Sequence, residues 1–278
     1  MLPTFIIIGA QKGGTTSLWT YLRGHDEVFV CSDKEPGFFV EEIAWSKGLG
    51  WYEGLFAGAG GANAIGEAST YYTMFPYFDG VPERIASVLP AARIVYVMRH
   101  PVERMRSGYV QLLEEGKERR SIREALLLDA RYADLSRYAM QIERYFRAFD
   151  ESQILLLTSE DLRHERRATM ARVCRFIGVD ETDLPDTAAE FNLGGHKRVP
   201  RPLGRATFRL ATDERVPGPV RARLFPILST GLASRPITEQ ETRIDDDLRH
   251  RLEDVLRPDV ERLRRYMGPS FNGWGLLD

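Results

Sequence analysis

The chain has 278 residues, of which 43% are hydrophobic and 28% are charged, and its formal net charge is −2. This composition is ordinary for a folded protein, and the length suits one large α/β domain or two small ones. The near-neutral charge provides no global basic field that would hold nucleic acid, so any anion site must be local.

The two cysteines, Cys31 and Cys174, are too few for a disulfide framework or a zinc site, and the five histidines do not fall at metal-ligand spacing. We therefore predict two buried or half-buried free thiols and no bound metal. No cationic leader precedes the apolar run at residues 5–8, which is far too short to cross a membrane. These features predict a cytoplasmic protein without a membrane span.

The first 180 residues alternate short apolar runs with amphipathic segments. Residues 5–9 predict a buried parallel strand, and residues 15–23 predict a helix that Thr15 or Thr16 can cap. The same patterns predict strands at 64–68, 92–98 and 153–157, and helices at 102–115 (with Pro101 in its first turn), 121–129, 136–149 and 164–177. This order predicts an α/β, P-loop-like, three-layer fold in which helices flank a central parallel sheet.

The character of the chain changes after Gly178, a residue type that commonly ends helices. Residues 180–220 are rich in Pro, Gly and Arg and show no evident strand, whereas residues 217–232 and 245–267 predict C-terminal helices. The three aspartates at 245–247 are expected to cap the second of these. We predict a single domain over residues 1–278, with an irregular basic loop and C-terminal helices from about residue 180 onward.

The loop after the first strand carries the residue types of a phosphate site. Amide groups at a helix N-terminus and the helix dipole favour anions, and glycines let the backbone approach a ligand closely. Lysine adds charge and hydroxyl side chains add donors. The predicted phosphate-binding residues are Gln11, Lys12, Gly13, Gly14, Thr15, Thr16 and Ser17. The alternative is a tight strand–helix turn whose glycines serve packing only.

This loop differs from the nucleotide loop of ATPases, G-x-x-x-x-G-K-[ST]. Gly9 and Gly14 have the right separation, but Thr15 stands where the lysine belongs, and the lysine lies within the loop as Lys12. No aspartate that would obviously hold Mg²⁺ follows an apolar run. These departures count against a P-loop kinase acting on a small molecule, which we keep as an alternative function. A nucleotide-binding scaffold without chemistry is a third possibility.

Two motifs resemble those of the sulfotransferases that use 3′-phosphoadenosine 5′-phosphosulfate, in particular the heparan-sulfate-type and related bacterial carbohydrate enzymes. FIIIGAQKGGTTSL resembles the family's 5′-phosphosulfate loop, and RIVYVMRHPVERMRSGY at residues 93–109 resembles its 3′-phosphate motif. The resemblance implies that Arg99 and Ser107 hold the 3′-phosphate of the donor. It also implies that the product is adenosine 3′,5′-bisphosphate and that no metal takes part.

A third segment, KEPGFF at residues 34–39, resembles the family's K-E-P-H-F-F, whose acidic residue is the proposed base. The resemblance makes Glu35 the catalytic base, with Lys12 as the catalytic cation at the leaving oxygen. Gly37 departs from the pattern, because it replaces a histidine. The alternative for Lys34 and Glu35 is a solvated ion pair before an aromatic segment.

A fourth segment, GEASTYY at residues 66–72, resembles E-K-T-P-x-Y of the heparan branch, and Ala68 stands in the place of that lysine. Glu67, Tyr71 and Tyr72 are the predicted acceptor-binding residues, although Glu67 can equally tie down its own loop. Many aromatic residues between positions 38 and 78 either line a cleft or belong to the core. We favour the core for most of them.

A weaker match places a basic loop, GGHKRVPR at residues 194–201, over the donor. Lys197, Arg198 and Arg201 are the predicted phosphate contacts there, and a solvated basic loop is the alternative. LRPDVERL at residues 256–263 and Trp274 also match the family's C-terminal pattern. Together the motifs predict a sulfotransferase whose acceptor is a hydroxyl of a glycan, a glycolipid or a small-molecule natural product.

Overall fold

The computed structural model describes residues 1–182, 197–200, 210, 216–220, 222–223 and 234–277. The chain divides into two compact units. The first comprises Met1–Arg104, Ala133–Phe191 and Glu253–Asp278, and the second comprises Met105–Tyr132 and Asn192–Leu252. A single domain over residues 1–278 stays a prediction.

The first unit is built on a five-stranded sheet with the order β2-β3-β1-β4-β5, and every pair of neighbouring strands is parallel. The strands are β1 (Phe5–Gly9), β2 (Val28–Val30), β3 (Ala64–Ala68), β4 (Arg93–Met98) and β5 (Ile154–Thr158). The predicted α/β fold with a central parallel sheet is confirmed. Because all strands run the same way, their carboxyl ends share one edge of the sheet.

The predicted helix at 15–23 is confirmed with its bounds, whereas the other predicted helices differ in their bounds and the helices at 49–54 and 81–88 were not predicted. The helices are α1 (Thr15–Arg23), α2 (Leu49–Gly54), α3 (Val81–Val88), α4 (Pro101–Glu114), α5 (Ile122–Leu128), α6 (Ala130–Asp134), α7 (Tyr138–Tyr145), α8 (Ser159–His164), α9 (Arg166–Ile177), α10 (Glu239–Thr242) and α11 (Asp246–Met267). The prediction that Thr15 or Thr16 caps the first helix is wrong, because Gly14 occupies the N-cap. The predicted helix at 217–232 lies mostly outside the described residues.

The sheet separates two apolar clusters in the first unit, one on each face. Ile6 and Ile8 of β1 join the cluster that includes residues of α3 and α7, whereas Phe5 and Ile7 join the cluster that includes residues of α1 and α9. All four side chains are fully buried. A central strand that is apolar on both faces requires helices on both sides, which explains its uninterrupted hydrophobic sequence.

The second unit contains a short antiparallel pair, β6 (Arg198–Pro200) and β7 (Ser234–Pro236). The expectation that residues 180–220 contain no strand is therefore wrong at 198–200, where three residues were too few to show a period. The carboxylate of Asp245 accepts a hydrogen bond from the Leu248 amide at 2.8 Å and so caps the start of α11, as predicted.

Both cysteines are buried free thiols, as predicted. Among the described residues, no helix has the length and apolar character that a membrane crossing would need.

Gly66 of β3 lies directly under an aromatic ring. A Cβ atom at this position would be 2.1 Å from Cζ of Phe5, which is itself fully buried. We expect Gly66→Ala to lower the free energy of unfolding by about 1–3 kcal/mol, because the core would have to shift. Gly50→Ala is the control, since its Cβ would meet open space in α2 and helix propensity favours alanine. Equal unfolding midpoints for the two variants in denaturant titrations would contradict the expectation.

Candidate functional site

The candidate site lies at the edge of the sheet where the parallel strands end. Loops leave this edge after Gly9 of β1, Ala68 of β3 and Met98 of β4, and α8 begins directly after Thr158 of β5. Open α/β sheets bind ligands outside the carboxyl ends of their strands. The predicted residues of the first unit lie on these loops, on the start of α1 or on the segment that follows β2, except Glu67, which lies within β3.

The loop between β1 and α1 is held tightly against β4. The amide of Ala10 donates to the carbonyl oxygen of Val97 at 2.7 Å, and a Cβ atom at Gly13 would lie 2.4 Å from the same oxygen. Lys12 and Gly14 both have positive φ angles, +66° and +104°. A lysine in this conformation costs about 1–2 kcal/mol, and such strain concentrates at functional sites.

The first turn of α1 has the features of an anion site. Its N-cap is Gly14, so no side chain of that residue caps the helix. The amides of Ser17 and Leu18 already donate to the Gly14 carbonyl oxygen. The amides of Thr15 and Thr16 precede the intrahelical ladder, and together with the positive end of the helix dipole they favour an anion.

Glu35 follows β2 and is fixed to the end of β3. Its amide donates to the carbonyl oxygen of Ala68 at 2.9 Å. Its Oε2 accepts hydrogen bonds from both the amide (2.6 Å) and the hydroxyl (2.8 Å) of Thr70. The φ angle of Glu35 is +65°, so this residue also holds a left-handed conformation.

Lys34 connects two segments of the site. One is residues 34–37, called the Glu35 turn, and the other is the loop between β1 and α1 with the first turn of α1, called the phosphate loop. Nζ of Lys34 donates to Oγ1 of Thr16 at 2.6 Å and lies 3.7 Å from Oε1 of Glu35. The structure therefore brings together the predicted phosphate loop and the predicted base. The sequence contained Lys34 within a matched motif, but nothing in that motif indicated its contact with Thr16, 18 positions away.

Glu67 lies beneath this site and is completely buried. Its carboxylate accepts hydrogen bonds from the hydroxyls of Tyr52 (2.7 Å), Tyr72 (2.8 Å) and Ser69 (2.9 Å). The Ser69 oxygen in turn accepts the amide of Gly37 at 3.0 Å. Burial raises the pKa of Glu67 to about 7 although the three hydrogen bonds act to lower it. This placement supports the role of tying down its loop.

The predicted acceptor residues differ in exposure. Glu67 and Tyr72 are buried, whereas Tyr71 is half-buried and packs edge-on against Phe78. A Cβ atom added at Gly37 would lie 3.4 Å from the Tyr71 ring and 3.0 Å from the Ile43 side chain. Because Gly37 belongs to the Glu35 turn, both side chains lie beside that turn. Other aromatic residues of this region are core, as favoured: Phe38, Phe39 and Tyr52.

The turn that carries Arg99 is fixed through its backbone. The Tyr138 hydroxyl donates to the Arg99 carbonyl oxygen at 2.8 Å, and the Glu160 carboxylate accepts the amide of His100 at 3.0 Å. Glu160 also accepts the indole N–H of Trp274 at 3.1 Å. Sequence reasoning missed Tyr138 and Glu160, because 39 and 60 positions separate them from this turn and no local pattern marks them.

Arg104, which belongs to the matched motif, is 1% exposed. Its Nε donates to the Ser136 hydroxyl at 2.6 Å, and that hydroxyl donates to the carbonyl oxygen of Pro101. The side chain therefore anchors the start of α4 within the first unit.

The remaining predicted donor residues belong to the second unit. Ser107 is half-buried on α4. Lys197 forms an ion pair with Glu114 at 3.4 Å, and the Arg198 guanidinium donates to the hydroxyl and carbonyl oxygens of Ser234. Arg201 lies outside the described residues. The donor contacts of these four residues stay predictions.

Comparison with known proteins gives a consistent result. The family model described as sulfotransferase domain matches residues 2–194. The chain is 30% identical over 188 residues to heparan sulfate glucosamine 3-O-sulfotransferase 3B1 of Mus musculus, a match that covers 64% of this chain and 46% of that protein. It is 27% identical over 282 residues to heparan sulfate glucosamine 3-O-sulfotransferase 6 of Homo sapiens, covering 98% of this chain and 74% of that protein.

The matched region spans about half the length of several of these curated relatives. Among solved structures, a sulfotransferase from Alicyclobacillus acidocaldarius superposes with a TM-score of 0.73 at 24% identity, covering 99% of both chains. The sulfotransferase domain from the curacin biosynthetic pathway has a TM-score of 0.50 at 14% identity, covering 82% of this chain and 98% of that one. These two likenesses support the fold.

The buried Glu67 makes stability depend on pH. Its pKa of about 7 exceeds the ordinary value of 4.5, so between these values the folded state keeps a proton that the unfolded state loses. The free energy of unfolding therefore falls as pH rises through this window, by up to about 1.4 kcal/mol for each unit of pH. We expect Glu67→Gln to reduce this slope in denaturant titrations from pH 4.5 to 7.5, whereas Glu53→Gln, at an exposed site on α2, leaves it unchanged. An unaltered slope in Glu67→Gln would contradict the assignment.

Proposed function

The chain belongs to the family defined by the sulfotransferase domain, and on that premise we propose that it transfers a sulfuryl group from 3′-phosphoadenosine 5′-phosphosulfate to a hydroxyl. The observation that supports this most directly is the meeting of the phosphate loop and the Glu35 turn. Lys34 contacts both, through Thr16 at 2.6 Å and Glu35 at 3.7 Å. A group transfer needs an anion site and a base in such proximity.

The residues of the loop fit the phosphosulfate end of the donor. The close approach of Gly13 to β4, the glycine N-cap of α1 and the hydroxyls of Thr15 and Thr16 are the features that support an anion at the first helical turn. The bound donor supplies an activated sulfuryl group. Lys12 and the amides of this turn stabilise the negative charge that develops on the leaving phosphate oxygen.

Glu35 acts as the base. Thr70 holds Oε2 through two hydrogen bonds, which directs the carboxylate and leaves Oε1 on the side of Lys34. Oε1 accepts the proton of the acceptor hydroxyl as that oxygen attacks sulfur. Arg99, on a turn fixed by Tyr138 and Glu160, binds the 3′-phosphate of the donor, together with Ser107.

For the acceptor we propose a hydroxyl of a glycan, a glycolipid or a small-molecule natural product. The relatives named after heparan sulfate favour a carbohydrate. The half-buried Tyr71 and the exposed Ile43 beside the Glu35 turn provide a surface on which a sugar ring or an apolar body can pack. A P-loop kinase is not favoured, because the family match and the position of Lys12 within the loop both argue against it.

Ligand binding tests the proposal. We expect adenosine 3′,5′-bisphosphate to raise the unfolding temperature without added metal, and ATP with Mg²⁺ to do so less. Stabilisation by ATP–Mg²⁺ alone would favour the kinase, and stabilisation by neither ligand would favour a scaffold.

Arg99→Ala removes one charged contact and should weaken bisphosphate binding about 10–100-fold in calorimetric titration. Arg93→Ala is the control, because Arg93 is exposed at the opposite end of β4. An unchanged Kd in Arg99→Ala would reject the 3′-phosphate assignment.

Glu35→Gln keeps the size of the side chain and removes the base. We expect the rate of bisphosphate release from the phosphosulfate donor, measured with a panel of alcohol and sugar acceptors, to fall about 10²–10⁴-fold. Affinity for adenosine 3′,5′-bisphosphate should stay within about threefold, since Glu35 does not bind phosphate. Glu42→Gln, at an exposed position, is the control. Turnover near that of the wild type in Glu35→Gln would refute the base assignment.

A further inference from the structure

Lys34 lies between the phosphate loop and the proposed base, Glu35. Its ammonium group donates to the Thr16 hydroxyl in the first turn of α1 and lies 3.7 Å from Oε1 of Glu35. The side chain is 28% exposed and that of Glu35 is 25% exposed, so both are partly withdrawn from solvent. The charge is therefore placed at the junction and is not carried on a freely solvated side chain.

The N-terminus of α1 disfavours a cation beside it, and the pairing of Lys34 with Glu35 offsets part of this effect. The N-terminus of a helix carries about half a positive charge, which repels an ammonium group. Lys12 lies four residues before Thr16 in the same loop. The ammonium group of Lys34 is therefore a second positive charge at this end of α1. An anionic ligand that contacts the helix stabilises this charge, in addition to its pairing with Glu35.

We propose that Lys34 is a catalytic residue that contacts the transferring sulfuryl group, as a second cation beside Lys12. This inference rests on the proposed function. Glu35 takes the proton from the acceptor hydroxyl, the acceptor oxygen forms a bond to sulfur, and the bond between sulfur and the 5′-phosphate oxygen breaks with its electron pair on phosphate. Lys34 stays protonated throughout and stabilises the charge on the sulfuryl oxygens between the attacking and leaving groups.

The backbone supports this placement. The amide of Glu35 donates to the Ala68 carbonyl oxygen, which holds residues 34 and 35 beside the end of β3. Ala68 itself is fully buried and has no side chain that could supply a cation there. Lys34 reaches the same junction from the neighbouring segment, because its side chain extends across to α1.

The test compares affinity for the phosphosulfate donor with affinity for adenosine 3′,5′-bisphosphate, which lacks the sulfuryl group. We expect Lys34→Met to weaken donor binding about 10-fold more than bisphosphate binding, as the loss of a charge-assisted contact predicts. The rate of bisphosphate release from the donor should fall by at least as much. Lys47→Met is the control, because Lys47 is exposed and stacks on Trp51.

Two further variants separate a catalytic cation from a structural tether. Lys34→Arg keeps the charge, whereas Lys34→Gln keeps a hydrogen-bond donor without charge. A catalytic cation predicts partial recovery of donor affinity and rate in Lys34→Arg and none in Lys34→Gln. Equal recovery in both, or equal losses of donor and bisphosphate affinity in Lys34→Met, would overturn the proposal. A wild type that binds neither nucleotide would instead defeat the proposed function, which is a distinguishable result.

Discussion

The two hydrogen bonds from Thr70 to one oxygen of Glu35 organise the site, because they attach the predicted base to the central sheet. Neighbouring residues at the end of β3 strengthen this attachment, since the Ala68 carbonyl oxygen accepts the Glu35 amide and the Ser69 hydroxyl accepts the amide of Gly37. Ser69 is itself held by Glu67, which two tyrosine hydroxyls fix within the core. The carboxylate of Glu35 thus takes its position from the buried core of the first unit, and little reorganisation is left for the moment of reaction.

Hydrogen bonds to the sheet explain how the chain tolerates strained residues at this edge. Lys12 and Glu35 are non-glycine residues with φ angles of +66° and +65°, a conformation that costs about 1–2 kcal/mol for each residue. Each is flanked by hydrogen bonds to the sheet, from Ala10 to Val97 and from Glu35 to Ala68. A strained conformation of this kind persists only where the surrounding packing and hydrogen bonds hold the backbone in place. It is found here at the two residues to which the sequence motifs assign the chemistry.

The long buried strands and the phosphate loop could be predicted from the sequence, whereas the short elements and the contacts between distant residues could not. Strands such as β1 and β4 are buried on both faces, so their apolar runs are unbroken and easily identified. β2 has three residues and α2 has six, which is too short for a period to appear. The phosphate loop is contiguous in sequence, so its residues could be assigned together. Tyr138, Glu160 and Thr70 act on the site from distant positions, and only folding brings them to it.

Charge at the site follows from local geometry and is independent of the net charge of the chain. The formal net charge is −2, yet Lys12 lies in the loop before α1 and Lys34 reaches the first turn of α1 through Thr16. The ion pair between Lys34 and Glu35 partly balances this positive field, at 3.7 Å between charged atoms. An anion that binds against α1 competes with Glu35 for the same ammonium group. Under the proposed function the phosphosulfate donor is the second anion that Lys34 contacts, so a single cation serves both the anion site and the base.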